Sequence, residues 1–230
     1  MSPPARPADH AEPRRLSQAE VRLVVIGALL GLFLAALDQT IVATALPAIA
    51  RDLGDLELIG WVVTAYLLTS TTATPVLGKL SDIVGRRRIV HLCLALFLLG
   101  SLLCALAPSM LMLVLFRALQ GIGGGGLIVM AQTVIADVVS PRERGRYAGM
   151  ISGVWAMAAV LGPTLGGFLT QFVAWQMIFW INLPLGVAAF LVIDRQLRRL
   201  TVVRREQKID VSAVFLFACG TTSRLLALSW

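Results

Sequence analysis

The chain has 230 residues, 57% of them hydrophobic and only 14% charged, with a mean hydropathy of +0.82. That composition excludes a soluble domain, because a chain of this size cannot hide so much apolar surface in a core of its own. The net charge of +7 suggests nucleic-acid binding, but the basic residues are spread over alternate connections and form no single patch.

The first 20 residues, MSPPARPADHAEPRRLSQAE, are proline-rich and charged, and are expected to form a disordered cytoplasmic tail. Apolar runs follow near 22–46, 58–78, 89–107, 110–134, 147–170, 177–194 and 211–229. Most approach the ~20 residues that cross a bilayer as a helix. They are continuous, without the period-two alternation of barrel strands, so the reading is an all-α membrane protein. The first run is also longer than the ~7–15 apolar residues of a signal peptide. We read residues 21–197 as a six-span bundle, 198–210 as a basic cytoplasmic linker, and 211–230 as a truncated seventh span interrupted by Arg224.

Orientation comes from the connections. Arg14, Arg15 and Arg22 precede span 1, and Lys79, Arg86, Arg87 and Arg88 separate spans 2 and 3. Arg142, Arg144 and Arg146 separate spans 4 and 5, and Arg195, Arg198 and Arg199 follow span 6. The alternate connections carry Arg51 alone, beside Asp52, Asp55 and Glu57. By the positive-inside rule the N-terminus is cytoplasmic and the chain crosses the cell (inner or plasma) membrane several times.

Span 1 contains FLAALDQTIVATALP, in which Asp38 lies eight residues before Leu46, about 12 Å along a helix. A charge at that depth costs about 2.5–3.5 kcal/mol, so it should face protein or water, where it can gain and lose protons. Gln39, Thr40 and Thr44 make its surroundings polar. The next connection, GKLSDIVGRRR, is short, and Asp82 and Arg86 stand at pairing distance four residues apart. Gly78 removes bulk and Gly85 permits a tight turn. These residues read as a docking or gating element. In span 3, Cys93 and Cys104 lie about 16 Å apart on one face, beyond disulfide reach, and with Cys219 read as small hydrophobes.

Span 4 brings a second intramembrane charge. Arg117 is seven residues into the span, about 10 Å deep, so it matches Asp38 in depth and opposes it in sign. A direct or water-bridged pair is expected, with Gln120 one turn away. GIGGGG, with Gly121 and Gly123–Gly126, suits close helix approach. It lacks the Lys-Ser/Thr of a phosphate loop. The link 137–149 repeats the ingredients of the link 78–88, so spans 1–3 and 4–6 are candidates for two copies of one unit. In span 5, Gly162 and Pro163 break the backbone ladder and should bend the helix, with Gly166 and Gly167 extending a small-residue face. Tyr66 and Trp155 join Gln39, Thr40, Thr44 and Gln120 as residues expected to line a cavity. Trp61 and Trp175 suit the bilayer interface. His91 reads as an interfacial residue at a helix end. No nucleophile–base pair and no metal-ligand spacing is present, so neither an enzyme nor a cofactor is expected.

Together these stretches resemble the major facilitator superfamily, in particular its fourteen-span drug:proton antiporters of the QacA/EmrB type. GKLSDIVGRRR is similar to the family's GxLxDxxGRR, LDQTIVATALP to LDxTIVNVALP, and LFRALQGIGGGG to the span 4 stretch with its RxxQGxG core. LGPTLGG is similar to GPxxGG, and WQMIFWINLPLG to WRWIFxINxPxG. Ala43 and Gln176 depart from the Asn and Arg of these patterns. The resemblance implies two six-helix bundles around a cavity, here the N-terminal six-helix bundle plus a partial linker helix. It implies proton-coupled export of hydrophobic or cationic drugs, with Asp38 and Arg117 in proton coupling. Gly162, Pro163, Gly166 and Gly167 become the antiporter bend, and Gly78, Asp82, Gly85 and Arg86 a cytoplasmic latch. The partners implied are membrane lipid, protons and a small hydrophobic or cationic substrate, without nucleic acid. The chain would need a C-terminal half missing beyond Trp230, or self-association. Two other readings stand beside this one: a facilitator for another solute such as a metabolite or siderophore, and a non-transporting, truncated membrane protein.

Overall fold

The computed structural model describes residues 17–197 and, isolated beyond them, Gly220. The expected linker 198–210 and seventh span lie outside the described residues, as does the expected tail up to residue 16.

Helix α1 (Gln18–Leu53) starts at a capping box: the Ser17 side chain accepts the Glu20 amide, and the Glu20 carboxylate accepts the Ser17 amide at 2.8 Å. The helix therefore begins inside the stretch assigned to the tail. It ends at Gly54, and α2 (Ile59–Val84) follows. Gly85 alone joins α2 to α3 (Arg86–Ala105), with φ of 105°, a conformation that side chains with a Cβ rarely adopt. Helix α4 (Met110–Val138) is capped by Ser109, and α5 (Arg144–Phe172) carries Pro163 inside it. The expected sixth span is divided at Ile181 into a short α6 (Met177–Trp180) and α7 (Asn182–Leu197), although Ile181 keeps helical backbone angles and its N–H donates to the Met177 carbonyl. Pro184 sits in the first turn of α7, where its missing N–H costs nothing.

Among the described residues, five stretches are long and apolar enough to cross a membrane: α1, α3, α4, α5 and Met177–Arg195. Helix α2 has the length, at 26 residues, but not the hydropathy. Its hydroxyls turn back on their own helix, Thr64 to the Gly60 carbonyl, Thr69 to Ala65 and Thr74 to Ser70, so their polarity is largely satisfied internally. The links between long helices are short, so their directions alternate. Gln18, Val84, Arg86, Val138, Arg144 and Leu197 gather at one end, called the Arg86 end; Leu53, Ile59, Ala105, Met110, Phe172 and Met177 gather at the opposite, Trp175 end.

Helix α4 is the hub, packed against α1, α2 and α3, while α7 lies on α1 and α3, and α5 rests mainly on α1. The glycines explain how close α4 comes. An added Cβ at Gly123 would stand 2.6 Å from the Cys93 carbonyl oxygen of α3, and one at Gly125 would strike the Ser70 carbonyl of α2. One run of glycines thus admits a backbone on each side. The two largest core clusters lie toward the Trp175 end, around Ile41, Leu113 and Phe179, and toward the Arg86 end, around Leu94, Phe97 and Leu127. Helix α5 is the least covered, with Val160, Phe168 and Phe172 exposed.

A buried charged network as candidate site

Between the two apolar clusters lies a polar centre that the sequence anticipates in part. Asp38 is fully buried and Arg117 is 1% exposed. They touch directly, Arg117 Nη1 donating to Asp38 Oδ2 at 2.6 Å. The same Nη1 donates to Gln120 Oε1 at 2.8 Å, and Nε donates to the Val62 carbonyl at 3.2 Å. The guanidinium lies 4.1 Å from the centre of the Tyr66 ring, a cation–π contact. On the acid side, Asp38 Oδ1 accepts from Gln120 Nε2 at 2.9 Å and from Asn182 Nδ2 at 2.7 Å. Asn182 Nδ2 also donates to Ser101 Oγ at 2.9 Å, and Ser101 donates to the Phe179 carbonyl at 3.0 Å.

The energetics follow from this count. Two charges taken out of water lose several kcal/mol each in solvation, on the order of what their attraction returns, unless further hydrogen bonds complete them. Here the carboxylate receives three N–H groups, and the cation has a carboxylate, an amide oxygen, a backbone carbonyl and an aromatic face. The network ties α1, α2, α3, α4, α6 and α7 together. Helix α5 joins one turn away: Thr40 donates to the Ala158 carbonyl at 2.9 Å, and a Cβ at Gly162 would collide with Thr40.

The other anticipated residues divide. Tyr66 and Gln120, expected to line a cavity, are instead sealed in this centre, because the glycine-lined approach of α4 to α2 and α3 leaves no open space beside them. Trp155 is likewise half-buried, against Leu32, Ala131 and Val154. Gln39 and Thr40 are half-buried. Thr44 does line an open cleft between α1 and α5 at the Trp175 end, with Arg51, Gly167 and Thr170. Gly162 and Gly166 face α1, at Thr40 and Ile41, whereas nothing packs within 4 Å of a Cβ at Gly167. The four residues of the expected bend thus do not share one face.

At the Arg86 end, Arg86 pairs with Asp82 at 2.5 Å and with Asp137 of α4 at 2.9 Å, and donates to Ser81. Gly78 faces Val129 of α4, and Gly85 supplies the turn. The latch residues therefore fasten α2, α3 and α4 of this bundle to one another. Trp175, expected at the bilayer interface, is 5% exposed, and its indole N–H donates to Asp52 at 2.7 Å. His91 packs edge-on to Phe190 and lies 3.2 Å from Asp194.

Sequence reasoning missed Asn182, Ser101 and Asp137. Asn182 was detectable by the rule that found Asp38, as a polar residue inside the apolar run WQMIFWINLPLG.

Comparison with known proteins places this geometry. The model of the Major Facilitator Superfamily matches residues 28–222. The chain is 41% identical over 217 residues to multidrug transporter protein MdtP of Bacillus subtilis (strain 168), covering 93% of this chain and 39% of the relative. It is 43% identical over 213 residues to efflux pump FUS6 of Gibberella moniliformis, covering 90% and 38%. Among solved structures, the fold is similar to the xylose transporter XylE from E. coli, with a TM-score of 0.68 at 16% identity, covering 91% of this chain and 54% of that one. It is also similar to the human organic anion transporter MFSD10, with a TM-score of 0.66 at 23% identity, covering 77% and 47%. The chain spans about two-fifths of the length of the curated relatives it matches, 39% and 38% for these two.

Proposed function

The chain belongs to the Major Facilitator Superfamily, and from that premise we propose that it is the proton-exchanging part of an antiporter that exports hydrophobic or cationic drugs across the cell membrane. It is a multi-pass membrane protein, and relatives about 40% identical to it are efflux pumps and multidrug transporters. Driving force and cargo are our reading.

The observation that carries it is the buried Asp38–Arg117 pair. Ionised Asp38 holds three N–H donors, the guanidinium among them, in one cluster. A proton on the carboxyl removes the counter-charge of Arg117, which keeps Gln120 Oε1, the Val62 carbonyl and the Tyr66 face as its remaining partners. The attraction across α1 and α4 then weakens. The pair is closed to solvent in this conformation, so exchange needs an opening beside it. The α1–α5 seam suits that step, because Gly162, followed by Pro163, lies against Thr40, two residues from Asp38. A cationic drug held near Asp38 favours the ionised carboxyl, and so favours proton release, which is the exchange an antiporter requires. The basic residues gathered at the Arg86 end support a cytoplasmic position for that end.

The test is proton-driven efflux of ethidium, a lipophilic cation, by the full-length protein in everted vesicles. Asp38→Asn is expected to reduce pH-driven transport at least about tenfold, the size of effect that loss of a proton-transfer group produces. Transport that stays normal and pH-dependent in this variant overturns the proposal.

A further inference from the structure

We infer that Asn182 is the residue that reads the charge on Asp38: its side-chain amide donates to the ionised carboxylate and, turned over, accepts from the protonated one. The inference rests on the proton-exchange reading above and deepens it.

The reason lies in what a protonated Asp38 requires. The ionised carboxylate only accepts, and its three partners all donate. Once Oδ1 carries a proton it becomes a buried donor, and two N–H groups point at it. Gln120 cannot turn to relieve this, because its Oε1 already accepts Arg117 Nη1 at 2.8 Å and the Cys104 thiol at 3.7 Å. Asn182 can. Among the described residues, its Oδ1 is the one buried side-chain oxygen without a hydrogen-bond partner, on a side chain with no exposure. A buried amide oxygen left bare is costly while Asp38 is charged; a turn of the amide gives that oxygen two donors when Asp38 is neutral and moves Nδ2 to the place where the oxygen was bare.

The two ends of the amide are nearly equal in shape, so a half-turn keeps the packing. After it, Oδ1 occupies the place of Nδ2, 2.7 Å from Asp38 Oδ1 and 2.9 Å from Ser101 Oγ. There it accepts the new Asp38 O–H. It also accepts the Ser101 hydroxyl, swung away from the Phe179 carbonyl. One proton is added, on Asp38, and no other changes its atom. The Phe179 carbonyl loses its side-chain donor, two residues before Ile181, where α6 meets α7. The charge on Asp38 thus reaches the joint in the sixth span through two side chains.

The other titratable groups around Asp38 are Arg117 on α4, Tyr66 on α2 and Cys104 on α3. Those of α5, Arg144, Arg146 and Tyr147, lie in its first turn, and Tyr147 is about 16 Å along the helix from Ala158. On α7 they are Asp194 and Arg195, the nearer about 18 Å from Asn182. Asn182 is therefore a positioning residue with no rival acceptor among these groups.

The experiment is infrared difference spectroscopy of the full-length protein in liposomes, titrated between about pH 4 and pH 9, the range in which perturbed carboxyl groups ionise. The Asp38 carboxylic band is assigned by its loss in Asp38→Asn. The Asn182 side-chain carbonyl band is assigned by its loss in Asn182→Ala, or in Asn182→Ser if the alanine variant does not fold. The expected result is a shift of the Asn182 band to lower frequency, from unbonded to bonded carbonyl, in the pH step in which the Asp38 band emerges. That shift should be absent in Asp38→Asn. An Asn182 band that stays fixed through the step overturns the inference and leaves proton exchange at Asp38 standing. An Asp38 band that never emerges over the range overturns both.

Discussion

Two of the acid–arginine clusters among the described residues differ in nearly everything but composition. At the centre, Asp38 and Arg117 are buried on different helices and three N–H donors meet the carboxylate. At the Arg86 end, Arg86 is partly covered, but Asp82 and Asp137 are 38% and 47% exposed. The same chemical pair therefore does different work. In the dry centre, loss of one member strands the other charge, so the pair acts as a switch with a high penalty for a half-broken state. At the wet end, water and salt replace a lost partner, so the pair acts as a soft fastener between α2, α3 and α4.

The strongest way to break this contrast is to remove one charge at the centre. Arg117→Met is expected to destabilise the detergent-solubilised protein by about 3–5 kcal/mol, read from its denaturant midpoint. Adding Asp38→Asn should return a large part of that loss, because no bare charge is then left. Equal losses in the single and double variants would contradict the reading of the centre as a coupled pair. A second, smaller effect tests the packing that keeps the centre dry. Gly123→Leu drives α4 off the Cys93–Phe97 backbone of α3, and about 1–3 kcal/mol of destabilisation is expected. Gly78→Ala, which meets only one methyl group of Val129 at 3.3 Å, should fall within about 0.5 kcal/mol of neutral. A comparably small effect belongs to the partly exposed pair. Asp82→Asn is expected to cost about 0.2–1 kcal/mol, and the difference should shrink in 1 M salt, where the screening length falls to about 3 Å. A large, salt-independent loss there would erase the distinction.

The same contrast governs what could be read from the sequence. Asp38 and Arg117 stood out because a charge inside an apolar run has few explanations, and matched depth from opposite ends of two spans implied contact. Asn182 did not stand out, although it lies in the same kind of run. A neutral amide costs less to bury, so its presence raises less alarm. Its contact with Asp38, 144 residues away, depends on how the sixth span packs against α1 and α3. Asp137 was visible as an acid in a loop-like stretch, but its pairing with Arg86 spans 51 residues and needed the helix packing to emerge. The helices themselves followed from the apolar runs, including α2, whose threonines lower its hydropathy without stopping the helix. The start of α1 was hidden because Ser17 and Glu20 read as tail polarity when taken singly, and as a cap only when taken together. Tyr66 and Gln120, expected beside a cavity, are enclosed in this conformation, because glycine spacing shows that helices can approach, not which side chains the approach will enclose.

Gly85 has a practical consequence of its own. A chain reversal made by a single residue leaves no slack for a protease cleft to grip or for an inserted epitope to loop out. The five-residue link 139–143 at the same end offers both. Labels, cleavage sites and reporter insertions belong in that second link, while α2 and α3 should be treated as one stiff lever that survives intact any digestion the folded bundle survives.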